Sequence, residues 1–202
     1  KIYHNFNPLI SVIINCHNGE KYLAKAINSV LKQSYKNLEI IFWDNFSEDK
    51  SKKILKSFKD KRIKYYKSSK FTKLYEARNL AIKKAKGEFI AFLDVDDFWS
   101  SLKLEKQIKI FYANKKLTLV YSDCFIIRNK NQSKKIFANT KLPTGKITQN
   151  LLNFYRMPIL TVLIKKKAFR FKKFNKKYDI IGDFDFFVNL SFKKLIGCVQ
   201  EP

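Results

Sequence analysis

Residues 87–99 read GEFIAFLDVDDFW, and this stretch decides the fold. Its apolar segment, Phe89 to Leu93, has the length of a strand and is too short and too bulky for a surface helix. Because polar residues do not alternate with the apolar ones, the segment predicts a strand buried on both faces of a sheet. The segment ends in the acids Asp94, Asp96 and Asp97. A candidate site is therefore expected at the mouth of a buried strand.

These acids are close enough in the chain to repel one another, and a positive group between them would favour their ionised forms. Asp94 and Asp96 are two residues apart and so lie on the same side of an extended chain. Carboxylate oxygens are the ligands that hold Mg²⁺ or Mn²⁺ beside a phosphate. The pair therefore predicts a divalent metal site. The alternative is an acidic turn exposed to water.

The composition indicates one globular domain with a strongly basic surface. The chain has 202 residues, 46% of them hydrophobic, and a formal net charge of +25. Such a charge attracts phosphates, anionic lipid headgroups or nucleic acid, although the lysines are spread over every segment. Three cysteines lie far apart and only two histidines occur, which argues against a zinc site or a disulfide framework. With no long apolar run and no signal-peptide pattern, a reducing, cytoplasmic setting is expected.

Strand-like apolar runs and amphipathic helical patterns alternate through the first half of the chain. This alternation is typical of an α/β fold, with a Rossmann-like, mostly parallel sheet flanked by helices on both faces. A glycine after the third helix, Gly87, occupies the position that favours a left-handed helix cap. The predicted strands are 9–14, 38–43, 63–66 and 89–93, and the predicted helices lie within 22–31, 54–58 and 74–85.

Acids follow several of the predicted strands. Asp44 follows the second strand, Asp94 and Asp96 follow the fourth, and Asp123 follows an apolar run at 117–121. In parallel sheets ligands bind at the carboxyl ends of the strands. Because the chain has few acids, their repetition at strand ends indicates a site.

Several motifs together resemble the family 2 glycosyltransferases with the GT-A fold. The order and spacing match over about residues 9 to 125, and a weaker match continues to about 195. The resemblance implies inverting transfer of a sugar from a nucleotide-sugar donor, usually a UDP-sugar, with Mn²⁺ or Mg²⁺. The motifs are Ser11-Val12-Ile13-Ile14, Asn18-Gly19, Ser29-Val30-Leu31 with Gln33-Ser34-Tyr35, Glu39-Ile40-Ile41, Asp44 with Ser47 and Asp49, Glu76-Ala77-Arg78-Asn79 and Gly87 through Asp97.

The resemblance also implies roles for particular residues. Asp44 would hold the base of the nucleotide and Asp94 the ribose side, while Asp96, with Asp94, would hold the metal. Arg78 would support the diphosphate of the donor. The acceptor would be a glycan or a lipid-linked sugar, in the synthesis of surface polysaccharide or lipopolysaccharide.

The chain departs from the family pattern around the donor, which affects donor identity more than the reaction. Asn15 and His17 stand where the family commonly has proline and an aromatic residue, and His17 is expected to be a stacking or loop residue. Asn45-Phe46 replaces the usual Asp-Gly. Lys73 either meets a phosphate of the donor or is simply solvated.

The second half is less regular and is interpreted as the acceptor side. Residues 1–202 are expected to form one GT-A domain, with 9–125 binding the nucleotide sugar and 126–202 forming the smaller, irregular acceptor-side half. Strands are predicted at 117–122, 124–127, 136–138 and 158–164, and helices at 147–155 and 181–195. In the family that the chain resembles, an acid pair at the start of this helix carries the catalytic base. The resemblance implies that Asp183 is this base and that Gly182 replaces the first acid of the pair; the alternative is that Asp183 only caps its helix. The family continues past this point, so the resemblance leaves open whether pieces on the acceptor side are missing.

Two other functions were weighed against this resemblance. A sugar-nucleotide nucleotidylyltransferase would need a glycine-rich phosphate loop after the first strand, where Asn15 to Gly19 supplies one glycine. A basic nucleic-acid-binding module would explain the charge, but no recognised motif is found, and no specific nucleic acid is expected. The basic surface suggests instead peripheral association with the anionic inner face of the membrane.

Overall fold

The structure, a computed structural model, describes residues 6–128 and 133–202. The strands are β1 (Ile10–Cys16), β2 (Leu38–Asp44), β3 (Ile63–Lys67), β4 (Phe89–Phe92), β5 (Leu119–Ser122), β6 (Phe125–Arg128), β7 (Ser133–Ile136), β8 (Leu163–Lys165) and β9 (Ile196–Val199). The helices are α1 (Leu23–Leu31), α2 (Ser51–Ser57), α3 (Leu74–Lys84), α4 (Lys103–Ala113), α5 (Thr148–Asn153) and α6 (Gly182–Ser191).

Seven strands form the central sheet, in the order β3-β2-β1-β4-β8-β5-β9. Every neighbouring pair is parallel except the two pairs that β8 makes with β4 and β5. The register aligns Cys16 with Asp44 and Ile13 with Phe92, so the carboxyl ends of β1, β2 and β4 lie side by side. The prediction of a mostly parallel α/β sheet is confirmed.

Helices cover both faces of this sheet because successive strand side chains point to opposite sides. Val12 and Ile14 pack in one core with α1, α2 and α4. Ile13 packs in the other core with α3, α5 and α6. The strands at the centre are buried on both faces, which explains their continuous apolar sequence.

Gly87 does not have the left-handed conformation that the sequence predicts. Helix α3 ends at Lys84, Ala85 is extended, and Gly145 is the one glycine with positive φ among the described residues. Gly87 is required for close packing instead. A Cβ at this position would lie 2.6 Å from the backbone nitrogen of Ser11 and 2.7 Å from the carbonyl oxygen of Leu9.

The second half differs most from the predictions. The strand predicted at 158–164 is a 3-10 turn at Ile159–Thr161 followed by the short antiparallel strand β8. Helix α4 and strand β9 were not predicted, although Leu104, Ile108 and Phe111 have helical spacing. The predicted hairpin is present as β6 and β7, and its predicted connection at 129–132 lies outside the described residues.

None of the helices within 6–128 and 133–202 has both the length and the hydropathy needed to cross a bilayer.

Candidate active site

The carboxyl end of β2 holds Asp44, whose side chain is almost fully buried. Tyr65 Oη donates a hydrogen bond to Asp44 Oδ2 at 2.7 Å, and the backbone N–H of Ser47 donates to Oδ1 at 2.8 Å. Burial and the Asp44 carboxylate raise the pKa of the Tyr65 hydroxyl. The two donors hold the Asp44 carboxylate at the carboxyl end of the sheet, where it can accept a hydrogen bond from a ligand.

The loop after β2 shows how the chain accommodates its departure from Asp-Gly. Asn45 is buried and exchanges hydrogen bonds with Thr72, accepting from its backbone N–H and hydroxyl and donating to its carbonyl. Phe46 adopts φ of 68°, a conformation that is uncommon for a residue with a side chain. The backbone therefore keeps a glycine-like turn here even though the glycine is absent.

Asn15 and His17 lie at the end of β1 and just after it. Asn15 is 9% exposed, and its Nδ2 has no hydrogen-bond partner among the described residues. His17 Nδ1 lies 3.1 Å from the carbonyl oxygen of Asn45, an arrangement in which the ring donates. The His17 ring lies 4.6 Å from the ring of Phe71. His17 is thus in a ring contact, in keeping with the expected stacking or loop role.

Asp94 is held by Arg78, which reaches the mouth of the sheet from α3. The Arg78 side chain is 3% exposed, and its Nη2 donates to both carboxylate oxygens of Asp94 at 2.8 and 2.9 Å. A buried guanidinium needs such a carboxylate partner, because an unpaired buried charge is strongly unfavourable. The pair joins helix α3 to the acidic turn after β4.

The turn after β4 concentrates negative charge, as the sequence predicts. Asp96 is exposed to solvent, whereas Asp97 is partly buried. Burial, together with the charges of Asp94 and Asp96, raises the pKa of the Asp97 carboxyl to about 6. No three Cys, His, Asp or Glu side chains in the described part of the chain converge as a complete metal site. A cation at Asp96 would therefore need further ligands from a bound molecule.

Asp183 lies in the first turn of helix α6. Ile181 is the N-cap and the Asp183 carboxylate accepts from the backbone N–H of Phe184 at 2.8 Å, so Asp183 is not the N-cap residue. Asp183 Oδ1 also lies 3.3 Å from Tyr75 Oη. Asp183 therefore contacts the start of α6 from its first turn rather than from the N-cap position.

Tyr75 connects Asp183 to the donor side of the site. Its hydroxyl donates to the carbonyl oxygen of Ile180 at 2.5 Å and reaches Asp183, while the guanidinium carbon of Arg78 lies 5.5 Å from its ring. A Cβ on Gly182 would lie 2.6 Å from the Tyr75 ring, so only glycine fits there. Contacts therefore run from Asp183 through Tyr75 and Arg78 to Asp94.

A second tyrosine also lies near Asp183. Burial and the Asp183 charge raise the pKa of the Tyr155 hydroxyl, which has no hydrogen-bond partner of normal geometry among the described residues. Its ring packs edge-on against Phe184. A buried hydroxyl without a partner is available to a polar group of a ligand.

Lys73 and Asp123 are placed differently from the other candidates. Lys73 Nζ lies 3.0 Å from Asp179, and both side chains are more than half exposed. Asp123 is buried and accepts from the backbone N–H groups of Cys124 and Ala138, which ties β5 to the residues after the β6–β7 hairpin. Asp123 Oδ1 therefore stabilises the fold, and the residue also lines a cavity together with Asp96 and Asp97.

A cavity of about 490 Å³ opens beside the acidic turn. Asp96 and Asp97 line one side of it, and Lys103 of α4 lines another. Burial lowers the pKa of the Lys103 ammonium to about 7. The cavity has the size of a small-molecule site.

Sequence reasoning missed Tyr75, Tyr155 and Lys103 in the site. Tyr75 directly precedes the motif Glu76-Ala77-Arg78-Asn79 and was not singled out from the sequence. Its role depends on Ile180 and Asp183, more than 100 residues later in the chain. Neither periodicity nor local motif could have predicted such a contact.

The fold and these carboxylates define the class of protein as a glycosyltransferase with the GT-A fold. The family profile described as Glycosyl transferase family 2 matches residues 11–182. The chain therefore belongs to glycosyl transferase family 2.

Individual relatives agree with this assignment. An uncharacterized glycosyltransferase of Haemophilus influenzae is 35% identical over 185 residues, which cover 90% of this chain and 71% of the relative. The Escherichia coli protein named UDP-Glc:alpha-D-GlcNAc-diphosphoundecaprenol beta-1,3-glucosyltransferase WfgD is 37% identical over 142 residues, covering 70% of this chain and 56% of that protein.

Solved structures share the fold. S. aureus TarS 1-349 in complex with UDP gives a TM-score of 0.78 at 19% identity, covering 96% of this chain and 58% of TarS. The mannosyltransferase PcManGT from Pyrobaculum calidifontis, in complex with GDP-Man and Mn²⁺, gives 0.71 at 14% identity, covering 97% of this chain and 56% of that protein. The chain thus spans a little over half the length of WfgD and of these structural neighbours.

Proposed function

We propose that this chain transfers a sugar from a UDP-sugar, with inversion, to a hydroxyl of a lipid-linked or other glycan acceptor in surface polysaccharide synthesis. One observation carries the proposal: contacts run from Asp183 through Tyr75 and Arg78 to Asp94. Such a connection holds a carboxylate base at a fixed position relative to the donor side of the site. Inverting transfer needs this arrangement, because the acceptor attacks opposite the leaving group.

The donor is proposed to bind along the carboxyl ends of β1, β2 and β4. Asp44 accepts hydrogen bonds from the base of the nucleotide, and Asp94, oriented by Arg78, accepts from the ribose. Asn15 Nδ2, buried without a partner, donates to the donor, and the rings of His17 and Phe71 flank it. Lys73 is proposed to contact a phosphate by exchanging its exposed partner Asp179. The names of WfgD and of the TarS complex support a UDP donor.

The chemical step needs one base and no covalent sugar intermediate. Asp183 accepts the proton of the acceptor hydroxyl while the oxygen bonds to the anomeric carbon. The bond from that carbon to the phosphate oxygen breaks, and its electron pair leaves with the nucleoside diphosphate. Asp183 thus ends protonated, and the anomeric configuration is inverted.

Mn²⁺ or Mg²⁺ fits the acidic turn, because Asp96 is exposed and the carboxylates of Asp94 and Asp97 are close to it in the chain. Burial, together with the charges of Asp94 and Asp96, raises the pKa of Asp97. Asp96 would hold the ion, with Asp94 at its side, and oxygens of the diphosphate would complete its ligands. When bound, the ion supplies positive charge that stabilises the leaving diphosphate. The Mn²⁺ complex of PcManGT supports this part of the proposal.

The acceptor side is proposed to include Asp183, Tyr155 and the half of the chain from residue 126 onward. The name of WfgD specifies a sugar linked to a lipid diphosphate, which supports an acceptor of this kind. Such an acceptor resides in a membrane, so the enzyme is proposed to work in the cytoplasm at the inner face of that membrane.

The test uses UDP with and without Mn²⁺ and follows the unfolding temperature. We expect UDP to stabilise the protein when Mn²⁺ is present, because a ligand of the folded state raises the apparent stability. Asp96→Asn should abolish the Mn²⁺-dependent part, since an amide is a weaker ligand for a hard cation. Asp60→Asn, the same charge change on the loop before β3, is the control and should leave it intact. An unchanged Mn²⁺ response in Asp96→Asn would refute the metal assignment.

The reaction itself is tested by following UDP release from a panel of UDP-sugars, with and without a synthetic lipid-diphosphate sugar. The proposal predicts release that increases when the acceptor is added and that needs Mn²⁺ or Mg²⁺. Release from none of the UDP-sugars, with GDP-sugars active instead, would overturn the UDP donor but not the transfer.

A further inference from the structure

Two phenylalanines stand out from the surface on the acceptor side of the molecule. Phe171, just after the 3-10 helix Lys166–Arg170, is 81% exposed, and Phe192, just after α6, is 64% exposed. Transfer of a phenylalanine side chain out of water is favourable, so exposed rings normally gain by becoming buried. Unlike Phe169 and Phe186, which stack in the core beneath them, neither ring is covered by the fold.

Both rings belong to one surface. Asp185, Asn189 and Phe192 have the spacing of residues on a single face of a helix, and Asn189 donates to Asp185. Lys172 Nζ lies 3.1 Å from Asp185, which places the segment containing Phe171 against the same face. Lys194 Nζ lies 5.6 Å from the Phe171 ring. We call this surface the α6 face.

The α6 face is basic. Lys172 pairs with Asp185 and Lys194 lies over the Phe171 ring, while Arg170, Lys173 and Lys193 are next to or within two residues of Phe171 or Phe192 in the sequence. Arg170 and Lys173 also border a cavity of about 510 Å³, whose other cations include Lys83, Lys86 and Lys165 to Lys167. Exposed aromatic rings among lysines and arginines are the chemistry of a surface that binds anionic lipid headgroups and inserts its rings at the interface.

We propose that the α6 face docks this enzyme on an anionic bilayer, with Phe171 and Phe192 as the inserted side chains. The inference rests on the proposed function, in which the acceptor is linked to a lipid. Charge complementarity supports the choice of partner, because basic residues near an anionic surface are attracted to it. Phe171 and Phe192 are among the most exposed large hydrophobic side chains of the described residues, together with Ile180 at 83% and Phe154 at 68%, and charge alone would not require them.

The position of the face suits a lipid-linked acceptor. Asp183 and Phe192 occupy opposite ends of α6. At a rise of about 1.5 Å per residue, the proposed base then lies roughly 14 Å along the helix from the inserted ring. That span allows a sugar attached to a diphosphate at headgroup level to reach Asp183 while its lipid stays in the bilayer.

The experiment measures binding of the protein to vesicles of phosphatidylcholine with phosphatidylglycerol, and to vesicles of phosphatidylcholine alone. We expect the wild type to bind the anionic vesicles and to be released by salt. Lys193→Glu with Lys194→Glu should weaken binding about 25-fold or more, because each basic residue contributes roughly a fivefold factor. Phe171→Ser with Phe192→Ser should weaken it about tenfold at unchanged net charge.

Matched controls lie on the opposite face of the sheet. Lys53→Glu with Lys56→Glu on α2 makes the same change in net charge, and Leu102→Ser removes an exposed apolar side chain before α4. Both should leave vesicle binding within about twofold of the wild type, because the α6 face is intact. If the α2 pair weakened binding as much as the α6 pair, the attraction would come from overall charge, and the proposal would be wrong.

A separate readout distinguishes failure of this inference from failure of the proposed function. Release of UDP from a UDP-sugar in solution, without vesicles, should be the same in the phenylalanine variant and the wild type. Wild-type release with no preference for anionic vesicles would overturn the docking surface and leave the transferase intact. Vesicle binding that depends on the α6 face, without release from any nucleotide sugar, would instead overturn the proposed function on which the lipid-linked acceptor rests.

Discussion

Tyr75 is the residue on which the geometry of the site depends. Its buried ring excludes any side chain at position 182, and its hydroxyl contacts both the turn before α6 and Asp183. The family resemblance implied an acid pair at the start of this helix, with Gly182 in place of the first acid. The structure gives the physical reason: a side chain at 182 would overlap the tyrosine.

The first prediction concerns Asp183→Asn. If Asp183 is the base, the rate of transfer should fall by about 10²- to 10⁴-fold, because an amide cannot accept the proton of the acceptor. UDP affinity should stay unchanged, since the residue contacts the acceptor side. Steady-state transfer rates and UDP titrations provide the measurement.

The control for this substitution lies on the same helix. Asp185→Asn makes the same chemical change, but Asp185 is paired with Lys172 and Asn189. Its transfer rate should remain within a few-fold of the wild type. Turnover of Asp183→Asn at the wild-type rate would leave the base to be sought elsewhere in the site.

The sequence could predict which acidic residues lie at the carboxyl end of the sheet, but not what each carboxylate contacts. Asp44, Asp94 and Asp96 follow strands, so their common location follows from topology. Asp123 also follows a strand, yet its carboxylate binds two backbone N–H groups. The difference depends on where the chain after the hairpin returns, which no local pattern encodes.

The turn between α3 and β4, which contains Gly87, packs closely against β1. Gly87 donates its N–H to the hydroxyl of Ser11, and that hydroxyl donates to Glu39 at 2.6 Å. Glu39 also accepts from the backbone N–H of Lys86. The buried carboxylate of Glu39, in β2, thereby contacts both β1 and the turn that precedes β4.

The second prediction concerns the same turn. Gly87→Ala should lower the free energy of unfolding by about 1–3 kcal/mol, because the new methyl group overlaps the backbone of β1. Urea unfolding measures the change. Glu88→Ala, at the exposed neighbouring position, is the control and should stay within about 0.5 kcal/mol of the wild type. An equally stable Gly87→Ala variant would show that β1 and β4 can separate without cost.

The third prediction concerns helix α4. Lys103 is held over the Trp99 ring and donates to Gln107, and burial lowers its pKa to about 7. The unfolded chain, where the lysine has its ordinary pKa of about 10.4, therefore binds more protons between about pH 7 and 10. The contribution of Lys103 to the free energy of unfolding is lowest below about pH 7, where the buried lysine is charged. It rises with pH between about pH 7 and 10.

Lys103→Met should remove this contribution. We expect the variant to gain stability relative to the wild type at pH 6 and to lose that advantage by about pH 9. Lys116→Met, at an exposed position after α4, should follow the wild type throughout. Chemical unfolding at several pH values gives the comparison, and a constant difference across the range would contradict the lowered pKa.

Strands β1, β2 and β4 were predictable from sequence because each is a largely apolar run bounded by polar loops. Helix α4 has an equally regular apolar spacing, so that signal was present and missed. Strand β8 was not predictable in the same way: three residues in a strand carry little periodicity, and its antiparallel direction is set by the strands on either side.

Over the whole molecule, the two halves of the chain differ in how they are built. Strands β1 to β4 are neighbours in the sheet and close in sequence, with short connections through helices. The strands beyond β4 come from distant parts of the chain. This difference explains why β1 to β4 could be predicted from sequence patterns, while the strands after β4 depend on contacts between segments far apart.

The place of β8 in the sheet has a consequence for the order of folding during synthesis. Strand β4 gains its second neighbour only when Leu163–Lys165 arrives, some 70 residues after β4 itself. At about 5–20 residues per second, the ribosome leaves this edge open for several seconds to about fifteen seconds. Until then, the wholly apolar strand β4 has one unpaired edge, a form prone to associate with other chains.

We therefore expect nascent chains stopped before residue 163 to be cut readily by protease between β4 and β5, and to be protected there once β8 has emerged. Pulsed proteolysis of stalled ribosome complexes gives the comparison. Equal protection at both lengths would mean that β5 is already ordered before β8 joins the sheet, and the proposed order of folding would be wrong.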